Sequence, residues 1–431
     1  MAPAAAPRPK NRLCIGFLTL LGLATPTRAG ASESRPAPMS VTAAAFLAEV
    51  AARDPRLSAL EAHAARAEAA VAAAGRRDNP ALSLEREEVF PDGGGRADHR
   101  LAIAWPIPLG GRREASVRAA RHEAEAASAE REGARADLLW ECRAAYDEAA
   151  LAVARVERLA ATEARLAALA EAVARRGAAG QTSRYEQDRV QLELAAWVAV
   201  VADAVSARDE AFVGLGVLAG RPEQPLAPSE PLALPTVAPL PSTGEWLAAR
   251  PDRRAALARL AAADAARVAA DRAAAPELVV AAGVMTRDEG GDGVAWGYVA
   301  GLSLDLPIFA RAPGERERAD ADAAAAAATL AAQAQHGPAQ VQRAHRELAR
   351  AVARAELLRS AELAPLESLL RSVDAAYREG ERSVFEVIDA YRTARELALR
   401  ELALVAAARD AERALMRALG RGPLSPPEVR P

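Results

Sequence analysis

The feature of this 431-residue chain that most limits its fold is an internal duplication. Four landmarks of the first half recur in the second half after 196 to 201 residues: Pro55 with Pro251, Pro80 with Pro276, Pro106 with Pro307, and Gly180 with Gly380. Four matches at nearly one spacing indicate two copies of one structural unit. We therefore expect a first repeat at 41–221, a proline-rich linker at 222–243 and a second repeat at 244–422.

Each predicted repeat consists of a helix, a β-hairpin and a hairpin of two long helices. In the return strand of the first hairpin, Leu101, Ile103 and Trp105 share one face, which is the period of two expected for a half-buried strand. The sequence predicts β-hairpins at about 81–106 and about 278–307, with turns where glycines cluster.

The longest predicted segments are alanine-rich and have the spacing of a coiled coil. In the first of them apolar side chains recur every seven residues: Leu159, Leu166 and Val173. The predicted helical hairpins run over about 114–219 and about 314–420. The His-Gly-Pro segment at 336–338 interrupts the second one, and we expect a kink or a short break there because proline removes a helical hydrogen bond.

The N-terminus has the order of a secretory signal peptide. Basic residues at 8–12 precede an apolar run at 13–24, and small residues follow at 29–31. We expect residues 1–31 to be removed on export; a disordered apolar tail on a cytosolic protein is the alternative.

Hydropathy limits how such a chain could cross a membrane. Beyond the signal there is no run of 18 or more apolar residues, so the sequence predicts no transmembrane helix. The other structure that pairs every backbone amide in lipid is a closed β-barrel, and four strands are too few to close one. We therefore expect several copies to share a barrel. A periplasmic structural coiled-coil protein is the alternative, but it leaves the two amphipathic hairpins unexplained.

Residues that carry enzyme chemistry are scarce. The five histidines do not pair in a metal-binding pattern, and Cys14 lies in the predicted signal, which leaves Cys142 without an intrachain partner. The 55 basic and 58 acidic residues form no long block of one sign, so no nucleic-acid partner is indicated. We expect no catalytic residue, no cofactor and no resident metal, and a small packing role for Cys142.

Two predicted helix–helix turns carry the remaining signal. In the second turn Ser383 precedes a helix and Glu386 stands three residues later, which is the pattern of a capping box. Ser183 and Glu186 repeat it in the first turn. The pattern fits a purely structural cap as well as a functional site.

These motifs together resemble the TolC family of outer-membrane factors. The resemblance is carried by residues 79–85 (Asn-Pro-Ala-Leu-Ser-Leu-Glu), by residues 105–113 (Trp-Pro-Ile-Pro-Leu-Gly-Gly-Arg-Arg) and by the alanine-rich helix that follows. Segment 79–113 is most similar to the heavy-metal branch, the cobalt–zinc–cadmium type partners of resistance–nodulation–division pumps. The resemblance covers about 41–420.

The resemblance implies a mainly α fold with a small β part, assembled as a homotrimer. Two β-hairpins from each chain would form one twelve-stranded outer-membrane barrel, and the antiparallel coiled-coil helices of the duplicated halves would form a hollow barrel that extends into the periplasm. The implied function is passive conduction from an inner-membrane resistance–nodulation–division pump and a periplasmic adaptor (membrane fusion) protein to the exterior. Heavy-metal cations are the favoured substrate; drugs or secreted proteins stay open.

The resemblance also implies roles for residues in the two turns. It places a periplasmic gate at Arg382, Glu386, Asp389 and Glu186. An adaptor would dock on small and aromatic residues of both turns: Gly180, Ser183, Tyr185, Gly380, Ser383 and Phe385. The first turn departs from a fully acidic pattern, since Arg189 stands where the second turn has Asp389. Acidic residues at a pore mouth would favour cations.

Overall fold

The computed structural model describes residues 36–90, 96–273, 275–288, 293–305 and 313–424. The predicted signal peptide, the predicted turn at 91–95, most of the turn after Asp288 and the end of the second predicted hairpin lie outside these residues.

The first half contains these elements: β1 (Met39–Val41), α1 (Ala43–Arg53), α2 (Pro55–Ala74), β2 (Ala81–Val89), β3 (Arg96–Pro108), α3 (Arg112–Ala178) and α4 (Arg184–Leu218). The second half contains these: β4 (Leu226–Pro228), α5 (Thr243–Ala249), α6 (Pro251–Ala273), β5 (Glu277–Asp288), β6 (Val294–Asp305), α7 (Pro313–Leu358), α8 (Ala364–Glu379) and α9 (Val384–Ala418). A π-turn at Arg359–Leu363 joins α7 to α8.

Glycines end the long helices at matching places in the two halves. Gly180 and Gly380 have φ of 72° and 83°, and Gly220 and Gly420 have φ of 70° and 72°. Both pairs are 200 residues apart in sequence. Since only glycine adopts this left-handed conformation without strain, the two halves use the same device to turn the chain.

The hairpins form one antiparallel sheet of order β2-β3-β5-β6. Its register places Leu101 opposite Leu84 on one side and Val284 on the other. One side of the sheet, which we call the apolar face, consists of large exposed apolar residues: Leu82, Leu84, Leu101, Ile103, Trp105, Ile107, Val280, Val284, Trp296, Tyr298, Leu302 and Leu304. The opposite side has small residues and two cross-strand ion pairs, Glu85 with Arg100 and Asp98 with Arg287.

The long helices form two hairpins that pack on each other. Helix α3 has 67 residues, which is about 100 Å at 1.5 Å per residue. Its predicted heptad residues Leu159, Leu166 and Val173 are buried, in a cluster that also contains Val190 of α4 and Ile388 of α9. A second cluster joins β1 and α1 to α3 and α4, and a third joins Trp246 to α7 and α9.

The predicted interruption at 336–338 is not a break in the helix. Helix α7 continues through Pro338, and Gly337 packs beside the ring of Trp246. Packing of this kind can offset the helical hydrogen bond that proline removes. The irregularity lies about twenty residues later, at the π-turn, where the sequence predicted none.

Helix α4 also departs from expectation. Of the helices in the described ranges, it alone is long and apolar enough to cross a membrane, judged by length and composition only. The sequence predicted no such helix. Its inward residues Val190 and Trp197 pack in the core, whereas Leu192, Val198 and Val200 are exposed. Helix α4 therefore carries apolar side chains that this chain alone does not cover.

Candidate functional site at the helical tips

The candidate site consists of the two turns at the end of the helical hairpins. In the first turn Gly180 N–H donates to the Gly177 carbonyl at 3.0 Å, and Gln181 N–H donates to the Arg176 carbonyl at 2.9 Å. The second turn repeats this bonding after Tyr377, with Gly380 N–H to the Tyr377 carbonyl at 3.1 Å. These bonds satisfy carbonyls at the helix ends and fix both turns tightly.

A capping box starts the helix after each turn. In the first turn Glu186 N–H donates to Ser183 Oγ at 3.2 Å, and Ser183 N–H donates to Glu186 Oε2 at 2.9 Å. In the second turn Ser383 N–H donates to Glu386 Oε2 at 2.9 Å. Both glutamates therefore hold the turn in shape as well as carrying charge.

Glu386 has a further partner on the exposed surface. Arg382 Nη1 donates to Glu386 Oε1 at 2.7 Å. The backbone hydrogen bond from Ser383 and then the Arg382 guanidinium lower the pKa of the Glu386 carboxyl. The hydrogen bond to Glu386 raises the pKa of Arg382. Two of the predicted gate residues thus form one ion pair, in which the carboxylate stays ionised.

The remaining predicted gate residues lie apart from that pair. Asp389 is exposed and forms no ion pair within the described ranges, although its charge helps to raise the pKa of Arg392 one turn further along α9. Glu186 is engaged in its own capping box, and Arg189 points to Glu193, at 3.3 Å, rather than to Asp389. Of the three acidic residues predicted for the gate, Asp389 is therefore free of ion pairs in the described ranges, whereas Glu186 and Glu386 are engaged in capping boxes.

Aromatic side chains bring the two turns together. The rings of Tyr185 and Phe385 have their centroids 5.8 Å apart and are inclined by 39°. Tyr185 is 69% exposed and Phe385 39% exposed, so the pair also presents an apolar surface to solvent. Arg176 of α3 donates to the carbonyls of Tyr377 and Arg378 at 3.0 and 2.7 Å. The two turns thus form one surface.

Glu193 is a residue that the sequence did not single out. Its carboxylate is buried and accepts from Arg392 at 2.9 and 2.6 Å, with Arg189 on its other side. The hydrogen bonds from Arg392 outweigh desolvation and lower the pKa of Glu193. We call these three residues the Glu193 ion-pair cluster. It joins α4 of the first half to α9 of the second, two helical turns above the tip.

Two similar arrangements hold α9 further from the tip. Glu401 is buried and accepts from Arg359 at 2.7 Å, with Arg158 at 3.4 Å. Asp147 of α3 is buried between Arg143 and Arg413. Each buried carboxylate is paired, as burial of a charge requires. In the sequence, Glu193, Glu401 and Asp147 could have been found as acidic residues inside otherwise apolar helical faces.

Metal ligation has no candidate among the described residues. No group of three or more histidine, cysteine, aspartate or glutamate side chains in these ranges is arranged to hold a metal ion. Cys142 is buried among the residues that join α1 to α3, and burial raises the pKa of its thiol.

Comparison with known proteins decides the family. The sequence profile of a family described as outer membrane efflux protein matches residues 46–221 and 243–421. The chain belongs to the outer membrane efflux protein family. Family membership makes it a channel protein and not an enzyme, located in the outer membrane with a helical part that extends into the periplasm. The two matched segments follow the duplicated order of elements.

Several individual proteins are similar to this chain over most of its length. The cobalt-zinc-cadmium resistance protein CzcC of Cupriavidus metallidurans is 29% identical over 336 residues, which cover 73% of this chain and 75% of CzcC. The outer-membrane channel OprN has a TM-score of 0.71 at 22% identity, covering 88% of this chain and 89% of OprN. The open state of MtrE from Neisseria gonorrhoeae has a TM-score of 0.72 at 20% identity, and the match covers 88% of this chain and 89% of MtrE. CusC has a TM-score of 0.67 at 19% identity, and the match covers 88% of this chain and 92% of CusC.

Proposed function

We propose that this outer-membrane efflux protein is the exit channel of a tripartite system. It passively conducts substrate, which an inner-membrane resistance–nodulation–division pump and a periplasmic adaptor deliver, to the exterior. The observation that carries the proposal is the combination of an open sheet with an exposed apolar face and helical hairpins that end in one exposed surface, the longest helix being about 100 Å.

The sheet has the dimensions of a membrane-spanning surface. From Leu101 to Ile107 the apolar face extends about 20 Å along β3 at 3.3 Å per residue. The apolar band of outer-membrane barrels is about 25 Å tall and is flanked by aromatic residues at both interfaces. Trp105 lies towards one end of this face, and Trp296 and Tyr298 lie towards the other. This distribution supports insertion of the sheet in a bilayer.

Closure of the sheet requires further copies of the chain. In the described ranges β2 and β6 are the outer strands, each with a single neighbour. Because four antiparallel strands alternate in direction, β6 of one copy can pair antiparallel with β2 of the next, and repetition closes a ring. Three copies supply twelve strands. The exposed apolar residues of α4, Leu192, Val198 and Val200, support lateral contact of the helices in the same assembly.

Heavy-metal cations are the proposed substrate. The observation that favours them is the similarity to CzcC over most of both chains. Acidic side chains of the tip, Glu386 and Asp389, would favour cations at the periplasmic entrance. An exit channel for drugs or secreted proteins is the second candidate, and the fold shared with OprN and MtrE is compatible with it.

The tip is the proposed site of gating and docking. Arg382, Glu386, Asp389 and Glu186 would narrow the closed entrance, and opening would move the helices that carry them. The adaptor would contact the small and aromatic residues of both turns: Gly180, Ser183, Tyr185, Gly380, Ser383 and Phe385. What supports docking here is that Tyr185 and Phe385 form one exposed surface.

The experiment that tests the function removes the gene and measures growth against metal cations and against drugs. Loss of resistance to cobalt, zinc or cadmium ions, restored by the intact gene, is the expected result. Loss of drug resistance alone would replace the metal substrate with the second candidate. Fractionation of the same cells separates the channel from a periplasmic structural coiled coil, because a channel is recovered with the outer membrane.

A further inference from the structure

A basic cleft lies where the sheet meets the helices. It has a volume of about 670 Å³, and its walls come from the end of α2, the end of β3, the start of α3 and the start of β5. Four arginines line it: Arg76, Arg77, Arg112 and Arg113. None of them belongs to the tip, and the proposed conduction path gives them no role.

Most of this positive charge has no protein partner. Arg113 pairs with the adjacent Glu114 at 3.1 Å, while Arg76, Arg77 and Arg112 form no ion pair with any part of the chain that the structure describes. Asp78, Glu114 and Glu277 also line the cleft, so its four guanidinium groups exceed its three carboxylates by one charge. Three guanidinium groups are therefore available to an anion.

The cleft continues into the apolar face. Trp105 and Ile107 line it and are also members of that face, with exposed fractions of 49% and 42%. A ligand that fills the cleft thus meets guanidinium groups on one side and an apolar strand surface on the other. Tryptophan side chains favour the boundary between hydrocarbon and headgroups, and guanidinium groups bind phosphate through paired hydrogen bonds. An amphiphile with an anionic phosphate head matches both surfaces.

The duplication shows that the repeat itself does not require this cluster. The residues of the second half that correspond to Arg76-Arg77 are Arg272-Ala273, by the spacing of Pro80 and Pro276, and those that correspond to Arg112-Arg113 are Pro313-Gly314, by the spacing of Pro106 and Pro307. The one arginine in common, Arg272, donates to the Gly111 carbonyl at 3.0 Å instead of facing open space. Three of the four corresponding positions therefore carry no arginine in the second half, so the duplicated repeat does not by itself require the cluster.

We propose that this cleft binds the phosphate headgroup of an anionic glycerophospholipid from the leaflet nearer the helices, with one site per chain. The proposal rests on the proposed function in that the apolar face must lie in a bilayer. The acyl chains then lie along Ile107 and Trp105, while the phosphate contacts Arg76, Arg77 and Arg112. Each basic residue at a membrane surface raises the affinity for anionic lipid by about fivefold, so the site selects lipids by headgroup charge.

Native mass spectrometry of the intact oligomer in detergent tests the site, with phosphatidylglycerol and phosphatidylcholine as probes. We expect one phosphatidylglycerol bound per chain, at about tenfold or higher affinity than phosphatidylcholine. R76Q/R77Q removes two charges and lowers phosphatidylglycerol affinity by roughly tenfold to thirtyfold. The matched control R343Q/R346Q removes two exposed arginines of α7 that form no ion pair in the described ranges, and it leaves binding unchanged. Inorganic phosphate at millimolar concentration does not displace the lipid.

Three outcomes overturn the site: equal retention of the two lipids, equal binding by R76Q/R77Q and the wild type, or displacement by inorganic phosphate. If R76Q/R77Q does not assemble, the single variant R112Q gives the same readout with a loss of about fivefold. Failure of the site and failure of the proposed function are distinguishable. An oligomer recovered from the outer membrane without lipid preference removes only this site, whereas a wild-type protein absent from the membrane removes the function.

Discussion

At the residue scale, the acidic residues predicted for the gate differ in whether they also hold the turn. Glu386 is bound by the Ser383 amide and by Arg382, whereas Asp389 has no ion pair in the described part of the chain. The Arg382–Glu386 contact could be anticipated from sequence, since the residues are four apart on a helix start. The Glu193–Arg392 contact could not, because its partners are 199 residues apart and meet only when the two halves pack.

Neutralising the tip tests the gate. E386Q/D389N removes the acidic charge proposed to narrow and select at the entrance, so we expect larger or more frequent openings and a weaker preference for cations. Single-channel recordings in planar bilayers measure the size and frequency of the openings and the preference for cations. The matched control E379Q/E381Q removes two acidic residues next to the same turn that are not assigned to the gate. Identical conductance and selectivity in the two variants would remove the gate assignment.

The Glu193 ion-pair cluster makes a prediction about stability. E193Q leaves Arg392 and Arg189, whose side chains are 43% and 32% exposed, without their shared counter-charge. Because solvent screens these partly exposed arginines, we expect a cost of about 1 to 2 kcal/mol, below that of breaking a fully buried pair. Denaturant unfolding followed by circular dichroism measures the loss. D188N, which removes an exposed partner of Arg184 on the same helix, serves as control and costs less than about 1 kcal/mol. Equal losses for the two variants would show that the cluster contributes no more than a surface pair.

The same cluster predicts a pH dependence with a definite sign. Because the folded pKa of Glu193 lies below its ordinary value of 4.5, the ionised cluster stabilises the folded state fully above about that pH. Stability from this source is lost as the pH falls from there through the folded pKa. The difference in unfolding free energy between wild type and E193Q should therefore shrink below about pH 4.5. A difference that stays constant down to pH 3 would contradict the assignment.

At the element scale, regular patterns predicted the elements, and tertiary contacts decided their irregularities. Period-two alternation anticipated β3, and heptad spacing anticipated the buried face of α3. Neither pattern indicated the π-turn at Arg359–Leu363, where Arg359 reaches Glu401 of α9, because that contact depends on the packed partner. Pro338 illustrates the converse, since a residue with a strong local preference stays inside α7.

Substitution by alanine is expected to have opposite effects at a glycine in a turn and at a glycine inside a helix. G380A places a side chain at φ of 83°, a conformation that costs about 1 to 2 kcal/mol for other residues, although no heavy atom lies within 4 Å of the new Cβ. G214A puts alanine in the interior of α4, also in open space, and should stabilise by about 1 kcal/mol. Denaturant unfolding compares them. Because the space around the two positions is alike, destabilisation of the same size by both would contradict the role given to backbone conformation.

At the scale of the whole molecule, the sheet that the two duplicated hairpins form has two edge strands with no further partner in the described ranges. The sheet has β2 and β6 as its outer strands in the described ranges, and in the helical part α4 exposes Leu192, Val198 and Val200. The sequence could predict that four strands need partners, but it gives the number of copies only through resemblance to a family. Shared closure by three chains is therefore the central claim of the account.

The mass of the protein extracted from the outer membrane in detergent tests this claim most directly. Native mass spectrometry gives the number of chains, because it distinguishes the mass of the protein from the masses of bound lipid and detergent. The account predicts three times the mass of the mature chain, with β-structure visible by circular dichroism. A stable monomer recovered from the soluble periplasmic fraction would contradict it.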